Sequence, residues 1–389
     1  MLSLFTEKEG VFLEKVTQTV EETVKYMWRS QKNRLLMGLM LVFMVIYVFV
    51  FASGFNRHHD LDVESLEVEM IGNKVQANHA KENGLLVPSI MTKTTAYIEQ
   101  EYEFGEQREL YTSIQQGDIQ RYLSTRPLEE ADPPDTSLAT MIYSLFGEDH
   151  LFMKSHRYIE EVPNLNFHIV HELTSVQQLH LFLLGAGPLI LLSGLVFMVS
   201  DIHTKDLELS SQKSGIPLNW RSYLLVQSLT ALLFVGAFYV LFFGLFYGLN
   251  GLLHGFGAMN LPIGFPQQTV GWFLLRTIPY LLLLLLLFTR LNTLFSLWTK
   301  QSVVTMTILL FVIFFSTIYM DASTGDLLPF DVRLLPLFYI DFGEVIRLGN
   351  TIYTRGLIVL GITFLVVEMV LWLTTKRVTR QRFTRKGVH

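Results

Sequence analysis

The stretch "HIVHE", His168 to Glu172, offers the residue types most often used for metal binding and proton transfer. On a helix His168 and His171 share a face, and Glu172 follows at once. The order differs from H-E-x-x-H, where two histidines four apart bind zinc and a glutamate serves as base. It differs equally from the inverted H-x-x-E-H. A metal site here needs help from "RHHDLD" at 57–62, so the first reading of the pair is a solvated or helix-packing one just ahead of an apolar run. No G-x-x-x-x-G-K-[ST] phosphate loop and no G-x-S-x-G nucleophile elbow occur. There is no cysteine, which excludes disulfides and thiolate chemistry. The chain is therefore not expected to be an enzyme, nor to hold a metal or cofactor of its own.

Ionisable residues inside apolar runs carry more information, because each is costly in hydrocarbon and turns toward protein or water. Glu368 in "FLVVEMVLWL" stands out. It either lines a path for a substrate, pairs with Arg290, or approaches the inner interface. Arg276 in "WFLLRTIPY" lies where its long stem can reach the outer surface. Pro188 and Pro279 interrupt their helices and are expected to bend them.

The elements that position these residues are membrane spans. Half of the 389 residues are hydrophobic and 17% are charged, against about a quarter charged in a soluble domain. A net charge of −5 argues against a nucleic-acid partner, which selects a concentrated basic face. A hydrocarbon core of roughly 30 Å takes about 20 apolar residues in a helix. Six runs qualify, at 35–54, 179–200, 222–249, 271–298, 302–320 and 355–375. The fourth and fifth are separated only by "WTKQS", which requires a tight helical hairpin.

Basic residues cluster in the leader (Lys8, Lys15, Lys25, Arg29, Lys32, Arg34) and in the tail (Lys376, Arg377, Arg380, Arg382, Arg385, Lys386). By the positive-inside rule both ends are cytoplasmic, and the Lys- and Arg-free loop 250–270 lies outside. The expected location is the cell membrane of a bacterium. Region 55–177 is then extracytoplasmic, with 21 acidic residues against 9 basic ones. Apolar spacing in "EQEYEFGEQRELYTSIQQGDIQRYL" predicts helix, and the alternation in "LDVESLEVEMI" predicts a strand.

The leader repeats Leu13, Val16, Val20, Val24, Met27 and Trp28 at helical spacing among Glu and Lys, an amphipathic helix suited to the headgroup plane. Gly244 with Gly248, and Gly251 with Gly255, stand four apart, the spacing that lets helices approach closely, within one chain or between two. The expected fold is mainly α. It has six transmembrane helices, an interfacial helix within the leader 1–34, a small mostly helical outer domain at 55–177, further spans within 178–375, and a basic tail at 376–389.

One polar segment needs its own account. "DIHTKDLELSSQKSGIP" at 201–217 lies between the second and third spans, is helix-compatible, and stops at Gly215 and Pro217. It is far longer than a connector requires, so a docking element is expected, with Trp220 and Arg221 marking re-entry to the membrane.

With an amphipathic leader, six spans and this cytoplasmic helix, the chain resembles the permease subunits of ABC-2-type ATP-binding-cassette transporters. The match falls on Glu208, Ile216, Pro217, Arg221 and Tyr223, and on "LLPFDVRLLPLFYIDFGEVIRLGN", which is similar to that family's outer re-entrant helices (326–350). The resemblance covers most spans but not 55–177. It implies a coupling helix at 201–217, with Glu208, Ser211, Gly215, Ile216 and Pro217 facing an ATPase. It implies two ATPase subunits that bind ATP and Mg, a second permease, identical or homologous, and export of a lipid, peptide, glycan or drug-like substrate. Two other readings stand beside it: a membrane sensor or immunity protein binding a peptide through its acidic outer domain, and a membrane metalloenzyme built on His168, His171 and Glu172.

Overall fold

A computed structural model describes residues 2–51, 172–204, 219–263, 268–324 and 335–377, with scattered positions between 67 and 121 and positions 162 and 169. Side chains are described from Leu13 onward, except for 50, 51 and 317–324. The described chain is mainly helical. Its elements are α1 (Leu2–Arg29), α2 (Gln31–Ile46) closed by a π turn (Tyr47–Phe51), α3 (Ser175–Leu184), α4 (Gly187–Val199) and α5 (Trp220–His254). There follow α6 (Val270–Thr299), α7 (Ser302–Thr324), a 3₁₀ turn (Pro336–Tyr339), α8 (Phe342–Arg347) and α9 (Asn350–Arg377). Among the described residues there is no strand, only an isolated bridge between Pro262 and Thr269. Where alternation predicts a strand, Glu67, Val68, Met70 and Ile71 are helical.

Four helices are long and apolar enough to cross a membrane: 31–49, 220–254, 270–299 and 350–377. The expected second span is not one straight helix. α3 and α4 meet at 70° and count as a fifth crossing only if taken together. Pro188 is the physical reason, since it has no N–H to donate and its ring collides with the carbonyl four residues back. Gly187 also packs so closely on the chain behind it that a Cβ there would lie 2.7 Å from the Phe182 carbonyl oxygen. The expected fifth span falls on α7, whose described apolar part, Ser302 to Ser316, is shorter than a crossing, so four or at most five of the six expected spans qualify among the described residues.

The chain divides into two compact units. The first comprises 1–45, 180–246 and 273–389. Its centre is α4, where Leu191, Leu192, Leu195, Val196, Met198 and Val199 form one fully buried face while Leu189, Ile190, Ser193 and Phe197 on the other are half-buried. An apolar face must be covered, and α4 packs on α7 and α8. Gly194 admits Tyr239 and Met40 to its surface, since a Cβ there would lie 3.0 Å from the Tyr239 hydroxyl and 3.2 Å from Met40 Sδ. Tyr239 donates its hydroxyl hydrogen to the Leu191 carbonyl. α8 begins at Asp341, whose carboxylate accepts from the Glu344 amide as an N-cap. Gly343 lies on the Leu183 and Leu184 carbonyls, leaving no room for a side chain. The hairpin between α6 and α7 turns through Lys300 at φ 54°.

α1 shows three sectors around its axis. Thr19, Thr23 and Met27 are buried against the unit, while Leu13, Val20, Val24 and Trp28 form an exposed apolar stripe. Glu14, Glu21 and Lys25 occupy the remaining side, where Glu21 and Lys25 pair one turn apart.

The second unit comprises 46–179 and 247–272. Its described part is knitted by polar contacts. Ser175 Oγ donates to the Tyr247 carbonyl (2.7 Å), and Asn250 Nδ2 donates to the Leu173 carbonyl (3.0 Å). The amides of Ser175 and Val176 donate to the carbonyls of Gly255 and Phe256. Gly255, at φ 87°, ends α5 in the left-handed conformation that glycine tolerates.

Candidate functional site: a buried polar chain in the bundle

The run "TRLNTLFS" interrupts the leucine-rich α6 and places Thr289, Arg290, Asn292, Thr293 and Ser296 on it, all buried. Such residues must find partners inside the protein, because an unpaired polar group in an apolar interior costs free energy of the order of 1–3 kcal/mol. They find them on α5, on α9 and in the turn after α4. Arg290 is only 5% exposed and grips Glu368, itself 23% exposed, through two bonds. Its Nε donates to Oε1 and its Nη2 to Oε2, the latter at 3.0 Å. This is the planar fork that guanidinium and carboxylate form best.

The third guanidinium nitrogen, Nη1, donates to Ser228 Oγ of α5 at 3.1 Å. Ser228 Oγ lies 3.0 Å from Thr293 Oγ1, and Thr293 Oγ1 lies 3.0 Å from His203 Nε2. His203 Nδ1 is 2.9 Å from Gln227 Oε1, and Gln227 Nε2 donates to the Ile202 carbonyl. Glu368, Arg290, Ser228, Thr293, His203 and Gln227 thus form one unbroken hydrogen-bonded chain. Asn292 supports it from the side by donating to the Val199 carbonyl (2.8 Å). Ser228, Arg290 and Glu368 each stand eight or nine residues from one end of their helices, which is about 12–14 Å at 1.5 Å per residue. The chain lies at one level of the bundle.

The turn that carries His203 is held from its other side too. Asp201 accepts from the Tyr26 hydroxyl (2.8 Å) and pairs with Lys32 (2.8 Å). Lys32 also donates to Ser200 Oγ. The turn Ser200–Thr204 is therefore tied to α1 and α2 by Asp201 and to α5 and α6 by His203. The expected helix from 201 opens as a turn over Asp201–Thr204.

Of the residues singled out in the sequence, Arg290 and Glu368 are brought together. Glu208, Ser211, Gly215, Ile216 and Pro217 lie outside the described residues, as do His168, His171 and the 57–62 string. Glu172 is buried at φ 56°, and its carbonyl accepts from Gln178 Nε2. Among the described residues no group of three His, Asp or Glu forms a metal-binding cluster. Arg276 lies over the Tyr353 ring, 4.9 Å from its centre.

Among the described residues the glycine pairs make no close helix contact. A Cβ at Gly244 or Gly248 would meet open space, Gly251 is covered by Phe256 of the following loop, and Gly255 ends the helix. His203, Gln227, Ser228 and Thr293 were not anticipated. Their signal was the density of small polar residues at one end of α5 and α6, which motif matching passes over. No family model, no curated protein and no solved structure matches the chain.

Proposed function

We propose that the chain is the membrane-spanning permease subunit of an ABC-2-type transporter, an exporter working with two separate ATPase subunits and a second permease. The observation that carries this reading is the turn at Asp201–Thr204, which opens the polar 201–217 segment and is gripped from two sides. A loop that receives mechanical work has to be anchored this way, or its displacement would be lost in side-chain motion. Tyr26 and Lys32 link it to the amphipathic helix, and His203 links it to the core.

Further support comes from α1, whose exposed stripe Leu13, Val20, Val24 and Trp28 suits the acyl boundary while its charged sector faces water. The short helices 336–339 and 342–347 fall between α7 and α9 in the chain, which supports reading 326–350 as outer re-entrant helices. ATP and Mg belong to the ATPases, and the part of this chain is mechanical. Glu208, Ser211, Gly215, Ile216 and Pro217 form the docking surface, and the Arg290–Glu368 pair braces the bundle. The cargo class is a lipid, peptide, glycan or drug-like molecule.

The test uses the absence of native cysteine. A Ser211→Cys variant, tagged at its tail and isolated in mild detergent, is crosslinked in membranes of its host. A stoichiometric ATPase joined at position 211, with ATP hydrolysis in the purified complex, is the expected result. An intact, well-expressed chain with no ATPase attached overturns the reading. Pro217→Ala combined with Glu208→Ala is expected to uncouple that hydrolysis while leaving the spans folded.

A further inference from the structure

The direction of each hydrogen bond in the buried chain follows from what its atoms can do. Gln227 gives its amide hydrogen to the Ile202 carbonyl, so its Oε1 faces His203 and can only accept. Nδ1 of His203 must therefore carry a hydrogen, and Nε2, facing Thr293 Oγ1 at 3.0 Å, is where a second proton adds.

Both protonation states can be satisfied. With His203 neutral, the Thr293 hydroxyl donates to Nε2, Ser228 donates to Thr293, and Arg290 donates to Ser228. With His203 charged, Nε2 donates to Thr293. The Thr293 hydroxyl then turns to the Thr289 carbonyl (3.0 Å), and that of Ser228 to the Leu224 carbonyl (2.5 Å). Two alternative acceptors stand in place for the two hydroxyls, and no buried group loses its partner in either state.

We infer that His203 is a proton-binding site whose charge state is relayed through Thr293 and Ser228 to the Arg290–Glu368 pair. Imidazole is the side chain whose ordinary charge change falls between about pH 5 and 8. The charged groups on the surrounding elements include Arg290 on α6, Glu368 on α9, the exposed Arg221 at the head of α5, and Asp201 in the same turn with its partners Lys32 and Tyr26. A proton on His203 adds positive charge to the chain that ends on Arg290. It also reverses the Thr293 hydroxyl, which stops donating to Nε2 and accepts from it, and this leaves the Ser228 hydroxyl free to turn to the Leu224 carbonyl. The guanidinium environment changes without any change at Glu368 itself. This inference does not depend on the transporter reading.

The whole chain in lipid nanodiscs, carrying ¹⁵N-labelled histidine and arginine, is titrated from about pH 5 to about pH 8 and followed by NMR. The His203 signal is identified by its loss in His203→Gln, and the Arg290 signal by its loss in Arg290→Lys. The His203 imidazole is expected to titrate, with the Arg290 Nε–H shift moving at the same midpoint. In Thr293→Val, which keeps the volume and deletes the hydroxyl, His203 still titrates and Arg290 no longer responds. Ser228→Ala cuts the next link and is read in the same way if the valine variant fails to fold. A His203 signal that does not titrate overturns the inference, and so does an Arg290 response that survives both cuts.

Discussion

Replacing Glu368 tests whether the buried pair braces the bundle, and its magnitude follows from the contacts. Arg290 is almost wholly enclosed and spends two of its three nitrogens on the carboxylate. Breaking a buried pair by removing one partner costs about 3–5 kcal/mol, because the survivor is a buried, uncompensated charge. Glu368 is 23% exposed, so solvent recovers part of this and about 2–4 kcal/mol is expected for Glu368→Leu. Glu368→Gln keeps one acceptor for Nε and loses the charge, which places it lower, at about 2 kcal/mol. Arg290→Leu with Glu368→Leu removes both charges. It should return to within about 1 kcal/mol of the parent, since paired ions exchange for apolar groups at little cost. The assay is denaturant unfolding in mixed micelles, followed by tryptophan fluorescence, for the two single variants and the double. A coupling energy of at least about 2 kcal/mol is expected. Simple additivity, with coupling under about 0.5 kcal/mol, would refute the bracing role and leave the pair a bystander.

Two further outcomes follow from the packing. Gly356→Ala forces a Cβ to 2.5 Å from the Tyr280 hydroxyl and 2.9 Å from the Tyr339 ring. It should destabilise by about 1–3 kcal/mol, whereas Gly361→Ala, five residues on and facing open space, should be neutral or slightly stabilising by helix propensity; equal effects in a thermal melt would contradict the packing. Tyr239→Phe leaves the Leu191 carbonyl without its hydroxyl donor and should cost about 1–2 kcal/mol in the same melt, with an unchanged melting temperature as the contrary result.

What the sequence made legible was whatever local chemistry controls. The apolar runs set the helices, "WTKQS" set the tight hairpin, and Pro188 announced the break between α3 and α4. The strand expected around 61–71 failed at its described positions because alternation over a few residues is weak evidence against helix in a charged segment, where both periods fit. The glycine pairs in α5 stand between a contact within the chain and one between two chains. Spacing says which residues share a face but not what stands opposite, and the open space beside Gly244 and Gly248 decides for neither. The pairing of Arg290 with Glu368 could be offered from sequence only as one option among three, since it joins residues 78 apart. The rest of the polar chain is a tertiary fact. His203 meets Thr293 across 90 residues, and no periodicity encodes that meeting.

The broken α3–α4 corner has a consequence for how this protein can change over generations. Gly343 of α8 sits directly on the Leu183 and Leu184 carbonyls where α3 stops, so two irregular segments more than 150 positions apart share one steric solution. A side chain at 343 is tolerated only if the corner shifts, and a straightened corner would leave the opening turn of α8 without its seat. Relatives of this chain should therefore vary at 185–188 and at 343 together, or at neither.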